Sequence, residues 1–137
     1  MLNKKCVIVI NQELGCSPMA NTAAVLSLSL GKHFPQLIGE DLRDHVGHRR
    51  QGITTVAIAV LKSSESNLGE MREALKSYES DLTVIDLTAD TQSTRSYQEY
   101  AGKLKTTPVA QLKYQGVALY GDKKLVNKFT GNLALLR

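Results

Sequence analysis

Residues 5–10 (KCVIVI) form an apolar, largely β-branched run, bounded by lysines before it and by Asn11 and Gln12 after it. β-branched residues favour strands, and the side chains of a strand alternate between the two faces of its sheet. A run that is apolar at nearly every position therefore predicts a strand buried on both faces. Such a strand needs a layer of other elements on each side of its sheet.

A long helix is predicted directly after this strand. Ser17 followed by Pro18 is typical of an N-cap with proline in the first turn, and Gly31 is the predicted stop. Apolar residues occupy nearly every side of this helix, so we expect it to be buried rather than amphipathic. Its many alanines indicate a close approach to the sheet.

The rest of the chain alternates between predicted strands and predicted helices. Strands are predicted at residues 53–61, 81–86 and 116–120, helices at 63–78, 93–104, 107–112 and 123–129, and a polar hairpin near residues 44–48. This alternation predicts an α/β fold, a three-layer α/β/α sandwich around a central sheet.

Length and composition predict one globular domain over residues 1–137. A hydrophobic content of 42% and a net charge of +4 are unlike those of a disordered chain. No apolar run reaches the ~20 residues of a membrane helix, and no signal peptide is recognisable, so no membrane association is expected. Cys6 and Cys16 are too few for a disulfide framework, which favours reduced thiols and a cytoplasmic protein.

The turn from the first strand into the first helix is the predicted ligand site. The first N–H groups of a helix are unpaired and carry partial positive charge, which favours a small polar or anionic ligand. Strand ends of α/β sheets are common ligand crevices. The residues predicted to line this one are Gly15, Cys16, Ser17, Asn21, Tyr120, Asn127 and Thr130.

Catalytic candidates are weaker. Cys16 lies at a predicted helix start, where the pKa of a thiol can be depressed, but His33, His45 and His48 are all distant in sequence. Asp86 ends a predicted strand and is the other candidate.

Metal and cofactor motifs are missing from the sequence. The D-H-x-x-H pattern of residues 44–48 offers too few ligands for a metal site. No phosphate-binding glycine loop or nucleophile elbow occurs, so no cofactor is predicted.

The charge balance leaves RNA as a further partner to consider. Seventeen basic and thirteen acidic residues are spread in small groups, and the chain has no Trp and two Phe for stacking on bases. A solvated, mildly basic surface is the simpler interpretation. The sequence leaves a homo-oligomer and a monomer equally open.

Several segments together resemble a known family. They include Met19-Ala-Asn-Thr-Ala-Ala-Val-Leu26, Gly116-Val-Ala-Leu-Tyr-Gly121 and Val126-Asn-Lys-Phe-Thr-Gly131. On these residues the chain is similar to the uncharacterised domain-of-unknown-function family 2000 over nearly its whole length. The resemblance implies a fold like that of type II peptidyl-tRNA hydrolases, which is a mixed four-stranded sheet with helices on both faces.

The resemblance also implies where a hydrolase site would lie, and this chain departs from the pattern. The Gln of the hydrolases matches Asn21, but their Lys matches Ser17 and their His matches Ala24. Their Asp falls on Leu87, one place after Asp86. An amide cannot accept a proton at neutral pH, so the chain lacks the expected general base.

Three hypotheses follow for the function. The first is a module that binds a small polar or anionic ligand without hydrolysis. The second is a divergent hydrolase of an ester, thioester or amide, possibly peptidyl-tRNA, that uses Cys16 or Asp86. The third is an RNA-binding protein without catalysis.

Overall fold

A computed structural model describes residues 3–137, and its centre is a mixed four-stranded sheet. The sheet has the strand order β4–β1–β6–β5, with β1 at Lys4–Asn11, β4 at Ile58–Ser63, β5 at Leu82–Thr88 and β6 at Tyr114–Asp122. β1 is parallel to β4, whereas β6 is antiparallel to both β1 and β5. The carboxyl ends of β4, β1 and β5 therefore lie at the same end of the sheet.

Helices cover both faces of the sheet. They are α1 (Cys16–His33), α2 (Glu65–Leu75), α3 (Tyr97–Thr106) and α4 (Lys123–Thr130). Cys6, Ile8 and Ile10 of β1 join a core with α1, while Val7 and Val9 join a second core with α2 and α4. This arrangement confirms the predicted α/β fold with strands and helices in three layers.

α1 is buried on one face only, so its predicted burial on all sides is wrong. Its buried residues, Thr22, Leu26 and Leu30, recur every four positions and mark one face, while Leu28 is 80% exposed. The close approach to the sheet comes from Gly116 of β6, where an added Cβ would lie 2.6 Å from Cγ2 of Thr22. This contact, and not the alanines of α1, accounts for the close approach of the helix to the sheet.

The ends of α1 also differ from the prediction. Gly15 is the N-cap residue and Ser17 lies within the first turn, so Ser17 does not cap the helix. The helix continues through Gly31 to His33, because one glycine inside a helix costs only about 1 kcal/mol.

The predicted strand at residues 53–61 is shorter than expected. Its first half turns away from the sheet and pairs with an earlier segment, where Gly39 N donates to Ile53 O (2.9 Å) and Thr55 N donates to Leu37 O (2.7 Å). The parallel ladder begins only at the pair Cys6 and Ile58.

The predicted polar hairpin is confirmed as β2 (Leu42–Arg43) and β3 (Arg49–Arg50). Asp44 organises its turn, because Oδ1 accepts from the backbone N–H groups of Val46 and His48 and Oδ2 accepts from Arg50 Nε. Gly47 has a φ of +81°, which favours glycine.

α2, β5, β6 and α4 form close to where the sequence predicts them, and α3 begins later. Residues 89–93 form a 3-10 turn, and α3 starts after Ser96, whose Oγ accepts from Glu99 N. α3 is only partly buried, since Tyr97 is 82% exposed whereas Tyr100 and Leu104 are half-buried.

The outer edge of β4 is covered by the C-terminal segment. Lys62 N donates to Ala134 O (2.9 Å), and Leu136 N donates to Val60 O (3.0 Å). In the described part of the chain, no helix has the length and apolar character required to cross a membrane.

Burial of Cys6 gives the fold a testable pH dependence. Burial raises the pKa of the Cys6 thiol from 9.0 to about 11. Between these values the unfolded chain loses the thiol proton and the folded chain keeps it, so the free energy of unfolding falls as pH rises from about 9 to 11. Urea unfolding at about pH 10.5 is expected to show a loss of about 2 kcal/mol from this thiol, relative to pH 8.

A Cys6→Ala variant should lack that part of the loss, and Cys16→Ala should retain it. Equal pH dependence in wild type and Cys6→Ala would contradict this account.

Candidate functional site

A cavity of about 510 Å³ lies between α1 and the segment that runs from the end of β5 into α3. Ile85 and Leu87 of β5 form its apolar floor, and α1 contributes one wall with Asn21 and Val25. The volume is within the range of small-molecule sites in proteins, roughly 300–1,000 Å³.

Polar groups from α1 and from the α3 region converge on this cavity. Asn21 lies on one side, and Arg95, Ser96 and Tyr100 lie on the other. Within residues 3–137 the guanidinium of Arg95 forms no ion pair. Arg95 is therefore a cation without an ion-pair partner among the described residues, at a cavity whose one lining carboxylate, Asp86, pairs with Arg72.

Local hydrogen bonds fix the start of α3 and thereby the position of Arg95. The Ser96 side chain accepts from Glu99 N at 3.1 Å, while Glu99 Oε2 accepts from Arg95 N at 3.1 Å. This reciprocal arrangement is similar to a capping box. Tyr100 joins α3 to the sheet, because its hydroxyl oxygen accepts from both N and Oγ1 of Thr88 at 3.2 Å.

Of the residues predicted to bind a ligand, only Asn21 lines this cavity. Gly15, Cys16 and Ser17 are exposed at the start of α1 and lie outside its lining. Leu87, which the resemblance places where the hydrolases have their Asp, does line it.

Tyr120, Asn127 and Thr130 are not brought to the start of α1. Tyr120 pairs with Cys6 near the opposite end of β1, and its ring packs against Phe34 in a tilted arrangement with centroids 4.7 Å apart. Asn127 lies over the other face of the sheet, where its Oδ1 accepts from Lys5 Nζ at 2.6 Å.

Thr130 is buried in α4. Its Oγ1 donates to Val126 O at 2.9 Å, and it ends a helix that packs on the face opposite α1. Tyr120, Asn127 and Thr130 thus contribute to packing and hydrogen bonding within the fold, away from the cavity.

The imidazoles lie toward the far end of α1 from Cys16. His33 is seventeen residues further along the helix, a distance of about 25 Å, and its Nδ1 is 2.9 Å from Ser29 O. His45 and His48 lie in the β2–β3 hairpin, which extends from a segment beside Leu30. The fold therefore separates Cys16 from the histidines of the described chain.

Asp86 borders the cavity, but its carboxylate is engaged by α2. Oδ2 accepts from Arg72 Nε at 2.6 Å, and Arg72 Nη2 donates to Glu79 Oε1 at 2.6 Å. Burial lowers the pKa of the Arg72 guanidinium, but its hydrogen bonds to Asp86 and Glu79 outweigh this effect, so its pKa is raised. Asp86 is thus the partner of Arg72 in an ion pair.

Over residues 3–137, no three His, Cys, Asp or Glu side chains converge in a way that would hold a metal ion. In the D-H-x-x-H segment, Asp44 instead accepts hydrogen bonds from its own hairpin.

The fold and this cavity define a small α/β protein with a mixed four-stranded sheet, and a sequence comparison assigns its family. The model of the family described as "Protein of unknown function (DUF2000)" matches residues 4–137, so the chain belongs to that family.

A solved structure shares the fold. It is a protein of unknown function from Agrobacterium tumefaciens strain C58, with a TM-score of 0.88 and 21% identity over 98% of each chain. No curated protein sequence matches the chain.

The ion pair of Asp86 predicts a measurable loss of stability. Arg72→Ala leaves a half-buried carboxylate without its partner, so the free energy of unfolding should fall by about 2 kcal/mol in urea titrations. Lys76→Ala removes an exposed pair with Glu73 and is the control, with an expected loss of less than about 0.5 kcal/mol. Equal losses in the two variants would show that burial adds nothing to the Arg72 pair.

Proposed function

We propose that this protein binds a small polar or anionic ligand in the cavity between α1 and α3, and that it does not hydrolyse the ligand. The observation that carries the proposal is the convergence of Asn21, Arg95 and Tyr100 on one cavity of about 510 Å³. An arginine without a carboxylate partner favours an anion, and an amide and a hydroxyl can orient it by hydrogen bonds.

The lining of the cavity supports binding without hydrolysis. Its residues include no His, Lys or Cys. Asp86 is the only carboxylate among them, and its Oδ2 accepts from Arg72 at 2.6 Å. Hydrolysis needs a positioned proton acceptor, and a carboxylate held in an ion pair serves that role poorly.

A fold like that of type II peptidyl-tRNA hydrolases is part of this proposal. The resemblance places the Gln and Asp of those enzymes at Asn21 and Leu87, and both residues line the cavity. The positions of their Lys and His, Ser17 and Ala24, are exposed and lie outside it. In this proposal the chain retains the ligand pocket of a hydrolase but lacks the residues that transfer protons in those enzymes.

Binding is tested with two anions of different size, inorganic phosphate and benzoate. Either anion is expected to shift the NMR signals of the Asn21 side-chain amide and of Arg95 Nε. Arg95→Gln removes the positive charge and should weaken binding at least about tenfold, which corresponds to the loss of one charge-assisted hydrogen bond. Arg49→Gln removes an exposed arginine of the β2–β3 hairpin and should leave binding unchanged. Failure of both anions to bind, or equal weakening by the two substitutions, would reject the site.

Two further assays decide between this proposal and the other hypotheses. Cleavage of peptidyl-tRNA at a rate typical of hydrolases would overturn the non-catalytic part, and its loss in Cys16→Ser or Asp86→Asn would identify the residue responsible. Retention of RNA that falls steeply with salt would favour an RNA-binding protein instead, because counterions are released from phosphates on binding.

A further inference from the structure

A second cavity, of about 320 Å³, lies beside the C-terminal half of α1. Leu30 and Gly31 of α1, Cys6 of β1 and Ile58 of β4 line it. Its remaining walls come from residues 37–38 and 53–56, the two segments that pair with each other outside the main sheet. It shares no lining residue with the cavity that contains Arg95.

This second cavity has no charged side chain in its lining. Its polar side chains are Cys6, Ser27 and Thr54, and Thr54 Oγ1 already donates to Val56 O at 3.0 Å. Burial raises the pKa of the Cys6 thiol to about 11, so this group is neutral at physiological pH. A charged ligand would find no partner here to offset the loss of its hydration.

The rim of the cavity is unusually apolar for a protein surface. Ile38, Ile53 and Ile58 are 45%, 72% and 37% exposed, and all three border this cavity. Side chains of this type are normally among the most buried, and clustered exposed ones mark binding sites. A bound apolar molecule would cover them.

We propose that this cavity binds an uncharged aliphatic chain or a hydrocarbon group of similar size. An apolar cavity of about 150 Å³ accepts benzene, with its six carbons. By the same ratio, about 320 Å³ holds roughly twelve to thirteen carbons, as in a medium-length alkyl or acyl chain. The binding energy would come from removing the ligand and the isoleucine rim from water.

The sequence provides a variant that fills this cavity without disturbing its walls. Gly31 lines the cavity, and a Cβ added there meets no atom within 4 Å. Gly31→Leu therefore introduces no clash at Cβ on the wall of the cavity, and replacing glycine inside a helix favours folding. Gly102 of α3 is the matched control, because it is also a helical glycine with open space around its Cβ and it does not line this cavity.

The two cysteines provide the measurement. Cys6 borders the cavity and Cys16 is exposed at the other end of α1, so Cys16→Ser leaves Cys6 as the only thiol. Methyl methanethiosulfonate, a small uncharged reagent, then reports access to Cys6. Near-saturating n-octanol is expected to slow this modification about tenfold, as for a site that is about 90% occupied. In the Cys6→Ala chain, modification of Cys16 should not respond to octanol.

Filling the cavity should abolish the protection. In the Cys16→Ser background, Gly31→Leu removes the octanol effect, Gly102→Leu keeps it, and Gly31→Ala gives an intermediate effect. If Gly31→Leu fails to fold, the Gly31→Ala result decides alone.

Unchanged modification of Cys6 in octanol, or full protection in the Gly31→Ala chain, would overturn the proposal. Protection that rises with protein concentration in the absence of octanol would show instead that a second copy of the chain covers this face. None of these outcomes depends on anion binding at Arg95, so the two proposals are tested separately.

Discussion

Burial of β1 on both of its faces is the constraint on which the rest of the structure depends. From Cys6 to Asn11 every side chain of this strand is buried, and the strand pairs with β4 on one side and β6 on the other. On one face of the sheet Cys6, Ile8 and Ile10 pack against α1. On the other face Val7 and Val9 pack against α2 and α4. α1 packs on this strand and contributes residues to the lining of both cavities, so the positions of both cavities are set relative to it.

Much of the fold follows from local patterns in the sequence. Short apolar runs identify the four strands of the sheet, and the helix predicted at residues 63–78 corresponds to α2, which buries Leu68 and Leu75. The errors arise where tertiary partners decide the outcome. β4 begins at Ile58 because the ladder with β1 begins there, and α1 exposes Leu28 because the sheet covers only one side of that helix. Neither the start of β4 nor the exposed side of α1 can be predicted from the hydrophobicity of the sequence alone.

The candidate site was predictable in part. The predicted site includes Asn21, which lines the cavity, because this residue lies in the first turns of a helix that follows a strand. Tyr120 was misplaced because β6 is antiparallel to β1, so the carboxyl end of β6 lies at the opposite end of the sheet from the start of α1. Strand direction depends on the chain connections and is not encoded in an apolar run. Arg95 is not among the residues predicted to bind a ligand. The helix that follows it was predicted to start at Ser93, although the Ser96 and Glu99 pair carries the capping-box pattern that marks the true start.

The segment around Leu135 covers the outer edge of β4 through an isolated β-bridge and two flanking backbone hydrogen bonds. Ala134 and Leu136 occupy backbone groups of Lys62 and Val60 that would otherwise face solvent along an open edge. Open strand edges recruit strands from neighbouring chains and so promote aggregation. Proteolytic removal of these residues would therefore expose the edge of β4 and promote aggregation. It would remove no residue that lines either cavity.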